Sequence, residues 1–80
     1  MTRVITVYEK NGEKLLSEYS IEGVPLEQIQ RIIKASENDP DLFQIYPLGQ
    51  SELLAFSSYI PKLKEIDFAN VELFYECFST

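Results

Sequence analysis

The chain has 80 residues, with 13 Asp+Glu against 7 Lys+Arg for a formal net charge of −6, one cysteine, and neither histidine nor tryptophan. This length holds one core, so residues 1–80 are expected to form a single domain, and the apolar share of 45%, with five Phe and five Tyr, is that of a folded chain rather than a disordered acidic one. Without histidine and with one thiol, the common zinc sites and the Ser-His-Asp and Cys-His nucleophile systems cannot be assembled, nor can an internal disulfide.

Arg3–Glu9 contains Val4, Ile5, Thr6, Val7 and Tyr8 and predicts a strand. Asn11-Gly12 is the sharpest hairpin signal, because both central positions of a type I′ turn need φ > 0. A two-residue turn there sets Lys10 opposite Glu13 and Tyr8 opposite Leu15. The second strand, Lys14–Ile21, places Leu15, Ser17, Tyr19 and Ile21 on one side and Leu16, Glu18 and Ser20 on the other. Glu22-Gly23-Val24 breaks the strand, and Pro25 opens a helix running to Glu37 with Leu26, Ile29, Ile32 and Ile33 on one stripe. Asn38–Asp41 is a loop. Leu42–Tyr46 reads as a short third strand limited by Pro47. A second helix follows Gly49, with Ser51 as N-cap, Leu53, Phe56 and Ile60 buried, Ser57 and Ser58 facing out, and Pro61 just past its end. Lys62–Asn70 is a linker, and Val71–Phe78 is the last strand. The order ββαβαβ predicts an α+β fold: a four-stranded antiparallel sheet with two short helices, one sheet face covered and the other partly open to solvent.

The last strand carries the most functional information. Val71, Leu73, Tyr75 and Cys77 form a face suited to meet a helix, while Glu72, Phe74, Glu76 and Phe78 alternate acid with aromatic on the other. Glu-Phe-Glu-Phe is poor core material and fits a recognition surface, the rings giving contact area and the carboxylates pairing with Lys or Arg on a partner. On the first hairpin, Glu9, Glu18 and Tyr8 or Tyr19 extend such a patch. The plainer reading is that these acids are simply solvated outward positions. Glu72 and Glu76 lie roughly 13 Å apart along a strand, beyond the ~5–9.5 Å of glycosidase carboxylate pairs. No catalytic set emerges, and the expectation is a protein that is not an enzyme and needs neither cofactor nor metal. Asp39 and Asp41 around Pro40 lack the ligand spacing of a calcium loop and read as a turn. Cys77 reads as a small buried hydrophobe, and a lone thiol fits a reducing compartment.

The opening MTRVITVYEK carries no secretory pattern, and no apolar run approaches a membrane span. A soluble, cytoplasmic chain is expected. Its charge disfavours direct nucleic-acid or lipid contact and favours a basic partner.

Two stretches carry a family resemblance. Ile5-Thr6-Val7-Tyr8-Glu9-Lys10 is followed by a polar turn and Ser17-Glu18-Tyr19-Ser20; Tyr59-Ile60-Pro61 precedes Glu65-Ile66-Asp67-Phe68, a turn at Asn70 and the strand Leu73–Phe78. In these the chain resembles the cloacin and RNase-type colicin immunity proteins and related short bacterial toxin-immunity proteins. The resemblance implies a small antiparallel-sheet protein, a monomer or weak dimer. It would bind and neutralise a basic nuclease toxin domain, of the colicin/cloacin or contact-dependent growth-inhibition kind. It also implies partner-binding residues at Glu9, Glu18, Asp67, Glu72, Phe74 and Glu76. The rival reading is a small acidic interaction or regulatory domain without a toxin partner.

Overall fold

The computed structural model describes residues 1–12 and 14–79. Its sheet has the order β2-β1-β4-β3, all neighbours antiparallel, from strands β1 (Thr2–Glu9), β2 (Leu15–Ser20), β3 (Tyr46–Leu48) and β4 (Val71–Phe78). Helices α1 (Leu26–Ile32) and α2 (Gln50–Ser57) complete the α+β fold in the order ββαβαβ. The first and last strands are therefore the two central ones, and their pairing over eight residues, Thr2↔Phe78 through Glu9↔Val71, ties the ends of the chain together.

Alternation divides the sheet into two faces. Ile5, Val7, Leu48, Leu73 and Tyr75 share one face and are buried with Ile21, Val24, Ile29, Ile33, Leu42, Leu53, Phe56 and Leu63. Both helices thus cover this face. The even-numbered positions of β1 and β4 point the other way, where no helix lies over them.

The register of the first hairpin depends on a bulge. Tyr8 does face Leu15, but Val7 faces Ser17, so the pairing shifts by one residue between Val7 and Tyr8. Unshifted pairing would put Leu16 opposite Val7 and Glu18 opposite Ile5, driving a carboxylate onto the core face. The extra residue restores parity, so Ile5 meets Tyr19 and Glu18 turns outward opposite Thr6. The turn also differs from type I′: Asn11 has φ 62°, and no glycine has positive φ. The Gly12 N–H donates to Glu9 O (3.2 Å) and the Glu9 N–H to Lys14 O (3.0 Å). A Cβ on Gly12 would come within 2.7 Å of Glu9 Oε2, the movable end of an exposed side chain, and within 3.0 Å of Glu9 Cβ. The expected pairing of Lys10 with Glu13 lies outside the described residues.

Four expected segments differ. The first helix ends at Ile32, not Glu37: Ile33 caps it with extended geometry, its N–H bonding Ile29 O, and the extended chain carries Ala35 and Asp39 toward the core. The third strand is Tyr46–Leu48 rather than Leu42–Tyr46. The backbone N–H groups of Phe43 and Gln44 are taken by the Asp39 carboxylate (2.8 and 3.0 Å), and Leu42 sits at φ 56°, so neither can join a ladder. Pro47 falls inside the strand, on the sheet edge where its missing N–H breaks no pairing. In α2, Gly49 rather than Ser51 is the N-cap, and Ser57 is buried, satisfied by donating to Leu54 O at 2.6 Å. The expected linker contains two 3₁₀ turns, Pro61–Glu65 and Phe68–Asn70, the first of which buries Leu63.

A polar staple fastens the 39–46 segment to the sheet. The buried Tyr75 hydroxyl donates to Leu42 O (2.7 Å) and accepts from Arg3 Nε (3.0 Å), while Arg3 Nη2 reaches Asp41 O (3.1 Å). Burial pushes the Tyr75 phenol up to about 12 against the counteracting pull of Arg3. Burial alone would raise the Asp39 carboxyl. Its bonds from the Tyr46 hydroxyl (2.6 Å) and the Phe43 and Gln44 N–H groups outweigh that and hold it below the ordinary 3.8.

Candidate functional site: the open sheet face

The face without helices is built by alternation alone. Across β1 and β4 it carries Thr2, Val4, Thr6 and Tyr8 beside Phe78, Glu76, Phe74 and Glu72, of which Val4 and Thr6 are buried. Glu18 and Ser20 continue it on β2, and Pro47 on β3. The bulge leaves Leu15 and Leu16 both exposed at the same edge. Three carboxylates, Glu18, Glu72 and Glu76, lie on these strand positions, and no lysine or arginine does. Arg3 is on the covered face, Arg31 belongs to α1, and Lys62 and Lys64 belong to the first 3₁₀ turn, while Lys10, just past β1, lines a cleft with Pro47, Glu72 and Phe74 at one end of the face and donates to Ala69 O.

At the centre of the face the side chains are organised. Thr6 Oγ1 donates to Glu76 Oε2 at 2.6 Å, and the Tyr8 hydroxyl reaches the same oxygen at 3.5 Å. The Tyr8 and Phe74 rings meet edge to face, with centroids 5.7 Å apart and planes at 80°. Ile45, 61% exposed, stands just before β3 on the same side. Tyr8, Ile45, Phe74 and Glu76 line a shallow groove of about 230 Å³.

Of the six expected partner-binding residues, the structure brings four together: Glu18, Glu72, Phe74 and Glu76. Glu9 pairs with Val71 on the covered-face side and folds back over Gly12, so it does not extend the open patch. Tyr19 likewise faces inward, opposite Ile5. Asp67 lies in the connection before β4, where its carboxylate accepts from Asn70 Nδ2. It borders a separate cleft with Gln50, Leu53, Leu54 and Phe68. Thr6 and Ile45 were not expected in the site. Thr6 was legible as an even-numbered position of β1. Ile45 was not, because it depends on where β3 begins.

Among the described residues no group of three His, Cys, Asp or Glu is placed to hold a metal ion, and no helix is long and apolar enough to cross a membrane. Glu72 is exposed and Glu76 is half-buried on an open surface, without the enclosed pocket that paired-carboxylate chemistry uses.

The sequence profile of the domain of unknown function DUF7683 matches residues 2–76. The chain belongs to the DUF7683 family. The match runs from the first residue of β1 into β4, and so includes every strand and both helices of this DUF7683 fold except the last two residues of β4. No curated protein and no solved structure matches the chain.

Proposed function

We propose that this chain is an immunity-type binding protein that neutralises a cognate bacterial nuclease toxin in the cytoplasm, by docking its open sheet face on the toxin's basic surface and with no chemistry of its own. The observation that carries the reading is the segregation of charge: the open face holds Glu18, Glu72 and Glu76 among the aromatic rings of Tyr8, Phe74 and Phe78, and no cation on any of its strand positions, with Lys10 at its border tied to Ala69 O. Such a face, on a chain of net charge −6, steers a basic protein to itself, with on-rates raised by about 10–10³ in comparable cases. The rings then supply the desolvated contact that slows dissociation. A nuclease is basic because its substrate is a polyanion. The toxin as partner rests on the resemblance of the Ile5–Lys10, Ser17–Ser20 and Glu65–Phe78 stretches to colicin-type immunity proteins.

The test is co-expression with the product of the adjacent gene. A basic protein that arrests growth alone, copurifies with this chain, and is no longer neutralised by Glu72→Lys or Phe74→Ala supports the proposal. A neighbour that is harmless, or neutralisation indifferent to both variants, refutes it.

A further inference from the structure

We propose that the groove between Tyr8, Ile45, Phe74 and Glu76 is the anchoring site for one arginine side chain of the basic partner. This rests on the reading of the open face as the docking surface and names the chemistry at its centre. The groove's lining is one carboxylate, two aromatic rings and one aliphatic chain. That set matches a cation carried on an apolar stem. The stem lies along Ile45 and Phe74, and the charged head meets Glu76 and a ring face. The volume is about 230 Å³. It suits a single long side chain and falls below the ~300–1,000 Å³ of small-molecule pockets.

The carboxylate is set in advance. Thr6 Oγ1 donates to Glu76 Oε2 at 2.6 Å, with the Tyr8 hydroxyl 3.5 Å from the same oxygen, which anchors that oxygen before anything binds. The Tyr8 and Phe74 planes cross at 80°, so a flat head lying on one ring meets the edge of the other. A planar guanidinium stacks on a ring while donating in its own plane to a carboxylate, and it is more weakly hydrated than an ammonium. The weaker hydration lowers the cost of whatever water the groove strips away, which favours arginine over lysine. A second copy of this chain is disfavoured as occupant, because it would bring Glu18, Glu72 and Glu76 toward their own counterparts.

The experiment is an NMR titration of the labelled full chain with N-acetyl-argininamide, N-acetyl-lysinamide and N-acetyl-norleucinamide. Argininamide is expected to give saturable shifts centred on Tyr8, Ile45, Phe74 and Glu76, several-fold tighter than lysinamide, with norleucinamide silent. Glu76→Gln keeps an acceptor for Thr6 and removes the charge. It should weaken argininamide roughly tenfold, the loss expected when a charge-assisted hydrogen bond becomes a neutral one. Ile45→Lys changes an exposed side chain, so the fold is expected to survive, and it should abolish the shifts by filling the groove with a cation; it carries the test if Glu76→Gln does not fold. Shifts that fail to saturate, that centre on Glu18 or Glu72, that match for lysinamide, or that persist in Ile45→Lys overturn the proposal. If the toxin is lost in Glu72→Lys while argininamide ignores the groove, the anchoring site falls and the docking face stands. If argininamide fills the groove while open-face variants leave toxin neutralisation intact, the reverse holds.

Discussion

Replacing Tyr75 by Phe removes one oxygen from the most buried part of the sheet and leaves the ring. The Tyr75 hydroxyl donates to Leu42 O at 2.7 Å and accepts from Arg3 Nε at 3.0 Å. Arg3 sits at the margin of the fold and can turn to water. Leu42, fully buried and held at φ 56°, has no such freedom. Losing a net-favourable hydrogen bond and stranding a buried acceptor costs about 1–3 kcal/mol. With an unfolding entropy near 2.1 cal/mol/K per residue, an 80-residue chain loses roughly 6 °C per kcal/mol, so Tm should fall by roughly 6–18 °C. The same variant has a spectroscopic signature. Tyr75 ionises at about 12, above its ordinary 10.0, so the folded state keeps this proton where the unfolded state has lost it. Stability from this group is intact below pH 10 and is lost as pH rises from 10 toward 12. Alkaline titration of tyrosinate absorbance should show a late-ionising component in the wild type that Tyr75→Phe lacks. A variant as stable as wild type, with an unchanged alkaline limb, refutes the staple and with it the account of how Ile45 is held beside the groove.

The other predictions concern the two sheet faces, acid stability and the thiol. Leu73→Ala, at a position 2% exposed between Val7 and Leu48, should cost about 2–5 kcal/mol in urea unfolding; Leu73→Ala and Phe74→Ala can be compared directly, and a Phe74 variant that unfolds while the Leu73 variant stays folded would mean that the faces are inverted. Asp39 is held below 3.8 by Tyr46, Phe43 and Gln44, and Glu52 below 4.5 by Ser51 and Gly49, so stability is full above about these values and falls as pH drops through the folded-state pKa values. Asp39→Asn should flatten that acid limb, and an unchanged acid midpoint would contradict the role given to Asp39. Cys77 is half-buried against the core and should label slowly with a thiol reagent in the native state and promptly in denaturant; equal rates would place it at the surface.

The elements legible in the sequence are those governed by a single period. Val71–Phe78 alternates without interruption, so both of its faces could be read from spacing, and the same holds for the even positions of β1. What escaped has specific causes. A one-residue bulge sets the hairpin register, and nothing in Leu15-Leu16-Ser17 marks which residue is extra. The third strand starts late because a side chain, Asp39, spends the backbone donors of Phe43 and Gln44, a tertiary effect that strand propensity does not carry. The helix beginning at Leu26 stops at Ile32 because Ile33 turns extended to lead the chain to Asp39, and the stripe of isoleucines reads the same whether or not the helix continues. Glu9 looked equivalent to Glu18 in composition, but pairing places it on the opposite face.

The proposed docking face is tested most directly by charge reversals matched in net charge and different in place. Glu18→Lys and Glu72→Lys lie on the open face, and Glu27→Lys lies exposed on α1 across the sheet. Each changes the formal charge of −6 by the same amount, so long-range steering by net charge alone predicts equal effects. Affinity and association rate for the proposed toxin partner, measured from low to physiological salt, should fall by roughly tenfold or more for the two open-face variants, with a shallower salt dependence, and change little for Glu27→Lys. Equal losses at all three positions, or the largest loss at Glu27, would contradict the open sheet face as the binding surface.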